Sequence, residues 1–181
     1  PRFLYATRVG SSDVAGYDVD PTTGALVQIS GSPFPTTIGS TSIAVSRDHR
    51  FAYTADFDRD QISAFAVDPY GALVPVPGTP FAGPDGVLSL VAHPTADLLY
   101  ASGQGGEVMV LAINPLTGAL GRVGAIAIGN APQYSAITYD GTFFYQTISA
   151  TAQIAGFEVL PVGALIPVPN SPVSTAVFPR T

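Results

Sequence analysis

Three aspartates at alternate positions, Asp56, Asp58 and Asp60, form the densest group of potential ligands in the chain. Carboxylates spaced this way along a loop can wrap a hard cation, and calcium, which takes about six to eight oxygens, suits them best. The run is not an EF-hand loop, because Gln61 stands where that loop needs Gly and Val67 where it needs Glu. Arg59, inside the run, offers the plainer account of a solvated acidic turn that carries its own counter-charge. Calcium at Asp56, Asp58 and Asp60 is the one metal site expected, and no other cofactor is.

Hydrolytic chemistry needs a base beside the attacking water and cations or N–H donors for the oxyanion. The chain has two histidines: His49, within Ser46-Arg47-Asp48-His49-Arg50, and His93, before Pro94. Both fall in turns that follow segments of small residues, whereas the acidic run follows a tyrosine-bearing segment. Those turn types belong at opposite ends of a sheet, so histidines and acids do not converge and no catalytic residue is expected. Asp13, Gln61, Glu107 and Gln153 share a register and could ring one mouth, although polar residues suit any turn before a strand. Gly103-Gln104-Gly105-Gly106 lacks the Lys and helix of a phosphate loop and reads as a hairpin turn.

The elements that carry these residues repeat. Gly-Ala-Leu occurs at Gly24, Gly71, Gly118 and Gly163, in steps of 47, 47 and 45 residues. In phase with it run the tyrosines Tyr5, Tyr53, Tyr100 and Tyr145. Each repeat has a Tyr strand (Phe3–Thr7 and its counterparts) and an alternating strand (Val14–Val19, Ile62–Val67, Val108–Ile113, Ile154–Val159). A Pro turn, the Gly-Ala-Leu strand and a Ser/Thr-Pro loop follow, and the third repeat has lost that loop motif. The repeat closes on a small-residue strand, read at Ser42–Ser46, Ser89–His93, Ser135–Tyr139 and Ser174–Phe178. Side chains alternate across a strand, so the alternating strands have a bulky face (Tyr17, Phe65, Leu111, Phe157) and a small one (Gly16, Ala64, Val110, Gly156). A period near 45 residues built of short strands and turns predicts an all-β propeller. The expected domain is 1–181, with repeats 3–50, 51–97, 98–142 and 143–181.

In such a blade the small-residue strand lies innermost. The chain opens on a Tyr strand, so Ser174–Phe178 is expected to supply the missing inner strand of the first blade. That one-plus-three closure would give four four-stranded blades, self-closed or completed by a second copy, without an unpaired edge.

Composition narrows the partners. Thirteen acids face seven arginines and no lysine, for a net charge of −6. No basic stripe exists to neutralise phosphates, which argues against nucleic acid and anionic membranes. No apolar run approaches the roughly 20 residues of a membrane span. The absence of cysteine excludes disulfides and thiolate chemistry. The start at Pro1-Arg2, without Met or a signal peptide, suggests a processed chain or a fragment.

Asp20-Pro-Thr-Thr-Gly-Ala-Leu26 followed by Gly31-Ser-Pro-Phe34, and Gly71-Ala-Leu-Val-Pro-Val-Pro-Gly-Thr-Pro-Phe81, resemble the lactonase-like and YVTN-repeat β-propellers. Tyr5-Ala-Thr-Arg8 and Tyr53-Thr-Ala-Asp56 are degraded forms of the Tyr-Val-Thr-Asn signature. The resemblance implies either hydrolases of small sugar lactones or non-enzymatic surface proteins, and relatives usually have seven blades. With no convergent acid, base and cation in view, the first expectation is a non-catalytic, extracellular or cell-surface structural or interaction module. Periplasmic placement is an alternative, and self-association through the blade ends is expected. A lactonase-type hydrolase and a calcium-dependent binding module are the other two readings.

Overall fold

The computed structural model describes residues 2–8, 10–36, 39–129 and 131–175. These form an all-β chain of four antiparallel sheets taken in sequence order. The first holds β1 (Phe3–Arg8), β2 (Asp13–Val19), β3 (Leu26–Gln28) and β4 (Phe34–Pro35). The second holds β5 (Ser40–Val45), β6 (Phe51–Asp56), β7 (Gln61–Val67), β8 (Leu73–Pro75) and β9 (Phe81–Ala82). The third holds β10 (Val87–Ala92), β11 (Leu98–Gly103), β12 (Glu107–Ile113) and β13 (Leu120–Ala127). The fourth holds β14 (Pro132–Ile137), β15 (Phe143–Ile148), β16 (Gln153–Val159), β17 (Leu165–Pro167) and β18 (Val173–Ser174). No helix among the described residues is long and apolar enough to cross a membrane.

The outer edge of each sheet follows from its loop motif. In three sheets the outer strand is split by Ser32-Pro33, Thr79-Pro80 or Ser171-Pro172, all with cis peptide bonds. The backbone amides left between the two halves are met by the hydroxyl of the same motif. Gly16 N donates to Ser32 Oγ at 2.9 Å, Ala64 N to Thr79 Oγ1 at 2.8 Å and Gly156 N to Ser171 Oγ at 2.8 Å. A buried amide without a partner would cost about 1–3 kcal/mol, so the hydroxyl is structural. The third repeat, which lacks the motif, needs no such repair: β13 runs unbroken and pairs with β12 along its length.

The same motif corrects the expected closure. Phe34 and Phe81 pair with β2 and β7, and Val173 pairs with Ile154 and Ser174 with Gln153 of β16 in the same manner. Ser174 therefore belongs, with Val173, to an outer ribbon of its own sheet, not to an inner strand for the first. Residues 176–178 of that expected strand lie outside the described residues. The inner strands are β5, β10 and β14, and they begin a few residues before the serine-led segments expected.

Neighbouring sheets dock by one repeated contact. Tyr5 OH donates to Gly71 O at 2.7 Å, Tyr53 OH to Gly118 O at 3.0 Å and Tyr100 OH to Gly163 O at 3.1 Å. Beside each tyrosine, Phe3, Phe51 or Leu98 lies directly on the same glycine. These glycines have positive φ, between 74° and 86°. A Cβ there would lie 2.3–2.7 Å from those side chains, so the close approach requires Gly as much as the turn does. The apolar side chains so enclosed join consecutive sheets into shared clusters, such as Tyr53, Leu99 and Met109. Fully burying one such side chain is worth about 1.5–3 kcal/mol.

Candidate functional site

The turns after β1, β6, β11 and β15 share one end of the sheets with the loops that enter β5, β10 and β14. The acidic run lies at this end. Asp56 closes β6 and is fully buried. Its Oδ2 lies 3.4 Å from Arg59 Nη1, while its Oδ1 has no hydrogen-bond partner among the described residues. Asp58, which is exposed, turns back towards it. A Cβ on Gly39 would stand 2.9 Å from Asp58 Oδ2 and 3.4 Å from Asp56 Oδ1, so two carboxylates converge on one glycine. Arg59 is half exposed and presents its guanidinium to Asp56. A buried carboxylate is costly unless paired, and here the guanidinium is its nearest compensation.

Asp60 goes elsewhere. Its backbone has positive φ (56°), and its Oδ1 accepts a 2.6 Å bond from Gly86 N, which anchors the loop entering β10. Among the described residues no three carboxylates or histidines are grouped to hold a metal. Asp13, Gln61, Glu107 and Gln153 do start the four equivalent strands β2, β7, β12 and β16. Asp13 is held by Arg8, whose Nε donates to Oδ1 at 2.6 Å. Arg122 lies 3.0 Å from Glu107 Oε1 as an ion contact, without the alignment of a hydrogen bond. Inward from this mouth the two inner strands of the sheets carry buried polar groups. Gln146 Oε1 accepts from Ser102 Oγ and Ser135 Oγ, each at 2.6 Å. Buried Thr54 Oγ1 has no partner among the described residues.

The histidines lie at the opposite end, as expected. Buried His93 accepts from Thr95 N at 3.1 Å and Ala96 N at 2.9 Å through Nδ1, which leaves Nε2–H to donate to Gly141 O at 3.2 Å. Burial lowers its pKa, although the Gly141 bond opposes this. It is a neutral residue that ties the third sheet to the fourth. His49 is exposed, in a turn with φ 60°. Sequence reasoning kept histidines and acids apart and so found no catalytic set. It did not single out the buried Asp56, paired with Arg59, or the approach of Asp58 to it around Gly39.

Four consecutive antiparallel sheets of one repeat, joined through their inner strands, define a β-propeller protein. The model of the "Lactonase, 7-bladed beta-propeller" family matches residues 1–136, and the chain belongs to that family. No curated protein matches the sequence. Among solved structures it is similar to a candidate 6-phosphogluconolactonase of Bacteroides uniformis, with TM-score 0.83 and 20% identity over 98% of this chain and 53% of that one. A second, from Bacteroides fragilis, gives TM-score 0.81 and 21% identity over 96% and 52%. The periplasmic gluconolactonase of Pseudomonas aeruginosa gives 0.74 and 24% over 96% and 53%. The chain thus spans about half the length of these structures. The match to the lactonase family overturns the expectation of a non-catalytic module and favours its hydrolase alternative. An extracellular or cell-surface location finds no support among these structures.

Proposed function

We propose that the chain carries the site of a lactonase-type hydrolase that opens small, uncharged sugar lactones. The observation that carries this reading, beside the family match, is the convergence of Asp56, Asp58 and Arg59 at one mouth. Asp58, exposed, is the general base. It takes a proton from water as the water oxygen bonds to the lactone carbonyl carbon. Arg59 faces the oxyanion that forms, and buried Asp56 positions the guanidinium. Collapse of the tetrahedral intermediate breaks the ring C–O bond, and the proton passes from Asp58 to the departing alkoxide. The product is the open hydroxy acid. Three aspartates against one arginine in this loop, on a chain of net charge −6, repel a phosphorylated substrate and favour a neutral one. The fold in this reading is a propeller with four blades in this chain. The P. aeruginosa relative supports a periplasmic location.

The test is pH-stat hydrolysis of δ-gluconolactone and its 6-phosphate. Turnover of the neutral lactone above its spontaneous rate, with the phosphorylated one slower, is expected. Background rates for both lactones would end the proposal, and faster turnover of the phosphate would overturn the assignment of a neutral substrate.

A further inference from the structure

The docking contact between sheets is used three times and left open twice. In β6 and β11 both faces are covered, and Tyr53 and Tyr100 are fully buried. In β1 only one face is. Phe3 and Tyr5 point to the second sheet, whereas Leu4, on the other face, is 42% exposed. In β15 the opposite face is open. Phe144 and Gln146 are buried against the third sheet, while Phe143 is 36% and Tyr145 40% exposed. Tyr145 is the fourth member of the tyrosine series, and no glycine carbonyl meets its hydroxyl among the described residues. Gly24 is the first member of the glycine series. Its φ of 72° matches Gly71, Gly118 and Gly163, yet nothing lies within 4 Å of a Cβ placed on it.

The two open faces are halves of the contact that the chain makes internally. Phe143 and Tyr145 correspond to Phe51 and Tyr53, and Gly24 corresponds to Gly118. We propose that two copies of this chain associate head to tail. Phe143 of one copy packs on Gly24 of the other, and Tyr145 OH donates to the Gly24 carbonyl. The occupant is a second copy because this chain already carries both halves, in the register used at its own three interfaces. The faces lie on opposite ends of the arc, so the interface is heterologous and needs a rotation that closes. Two copies bring eight sheets, at the upper end of the usual range of about four to eight blades. The step per sheet is then roughly 45°, against roughly 50° in a seven-bladed ring, a small adjustment shared among the interfaces.

Sedimentation equilibrium on the 181-residue chain tests this, with two variants that leave the monomer's internal contacts in place, Gly24→Ala adding only left-handed backbone strain at φ 72°. Gly24→Ala adds a Cβ that meets only solvent in the single chain but would strike Phe143 of the second copy. Phe143→Arg places a guanidinium opposite Glu158, its cross-strand partner, and carries a charge into the interface. The expected result is a mass of twice 18.6 kDa for the parent, with association weakened about 30-fold or more in each variant. An equimolar mixture of the variants should regain a dimer, because one intact interface remains between the Phe143 end of the first and the Gly24 end of the second. A parent that stays at 18.6 kDa at every concentration, a mass that grows past the dimer, or variants that dimerise as well as the parent would each overturn the proposal.

Discussion

Replacing Gly118 by Ala tests the docking contact inside the chain. Gly118 has φ 74°, and a Cβ built on it lies 2.3 Å from Phe51 Cδ1 and 2.6 Å from Cε1. Carbon atoms pack at about 3.5–4.0 Å, so the Phe51 ring must retreat by more than 1 Å. That ring is buried in the cluster that joins the second and third sheets, and nearby Tyr53 OH must keep its bond to the Gly118 carbonyl. Left-handed backbone strain contributes about 1–2 kcal/mol and overpacking a core about 1–3 kcal/mol more. Urea denaturation should therefore show a loss of about 2–5 kcal/mol. Gly10→Ala is the matched control. It has φ 89° with nothing within 4 Å of the added carbon, so it carries only the strain term of about 1–2 kcal/mol. Equal losses for the two variants would refute the claim that the glycine is selected by the approach of Phe51.

Burial holds His93 below its ordinary pKa of 6.5, so the unfolded chain binds the extra proton first. Its contribution to stability is complete above pH 6.5 and fades as the pH falls through the folded value. A melting temperature that drops between pH 7.5 and 5.5, with the drop reduced in His93→Gln, is the expected readout. Asp140, pulled down to about 2 chiefly by the Thr138 hydroxyl and then by the Thr142 amide, should act only in a separate window below pH 4. Gln146→Leu leaves Ser102 and Ser135 only their 2.8 Å bond to each other and removes the Nε2 donor to Tyr134 O, and should cost about 1–3 kcal/mol in urea denaturation. Arg47 and Asp97 pair across the second and third sheets at 2.7 Å but are solvent-screened, so Arg47→Ala should barely move the melting temperature, and less still in high salt.

The repeat, the strand classes and the separation of histidines from acids are all legible in the sequence, because period and alternation are local patterns. What Gly-Ala-Leu is for is not legible locally. Its glycine receives Tyr5, Tyr53 or Tyr100 from the preceding sheet, 63–66 residues away in the chain, and only the stacked sheets show that the two series meet. Ser174 was misassigned for a different reason. Ser-Thr-Ala-Val resembles the small-residue inner strand Ser-Ile-Ala-Val at Ser42–Val45. Counting from Ser171-Pro172, as from Ser32-Pro33, would have placed Val173 and Ser174 with Phe34 and Pro35. In sequence the acidic run reads as one ligand set of Asp56, Asp58 and Asp60. The structure divides it, because Asp60 is drawn off by an amide of the next sheet while Asp56 and Asp58 stay together around Gly39.

The assignment of base and cation is tested most directly by the initial rate of δ-gluconolactone opening in Asp58→Asn, measured beside the parent and Asp60→Asn. Loss of the general base should lower kcat by about 100-fold or more in Asp58→Asn. Asp60→Asn, which alters only the loop anchor at Gly86, should keep most of the rate at temperatures where it stays folded. An Asp58→Asn enzyme as fast as the parent would contradict the account.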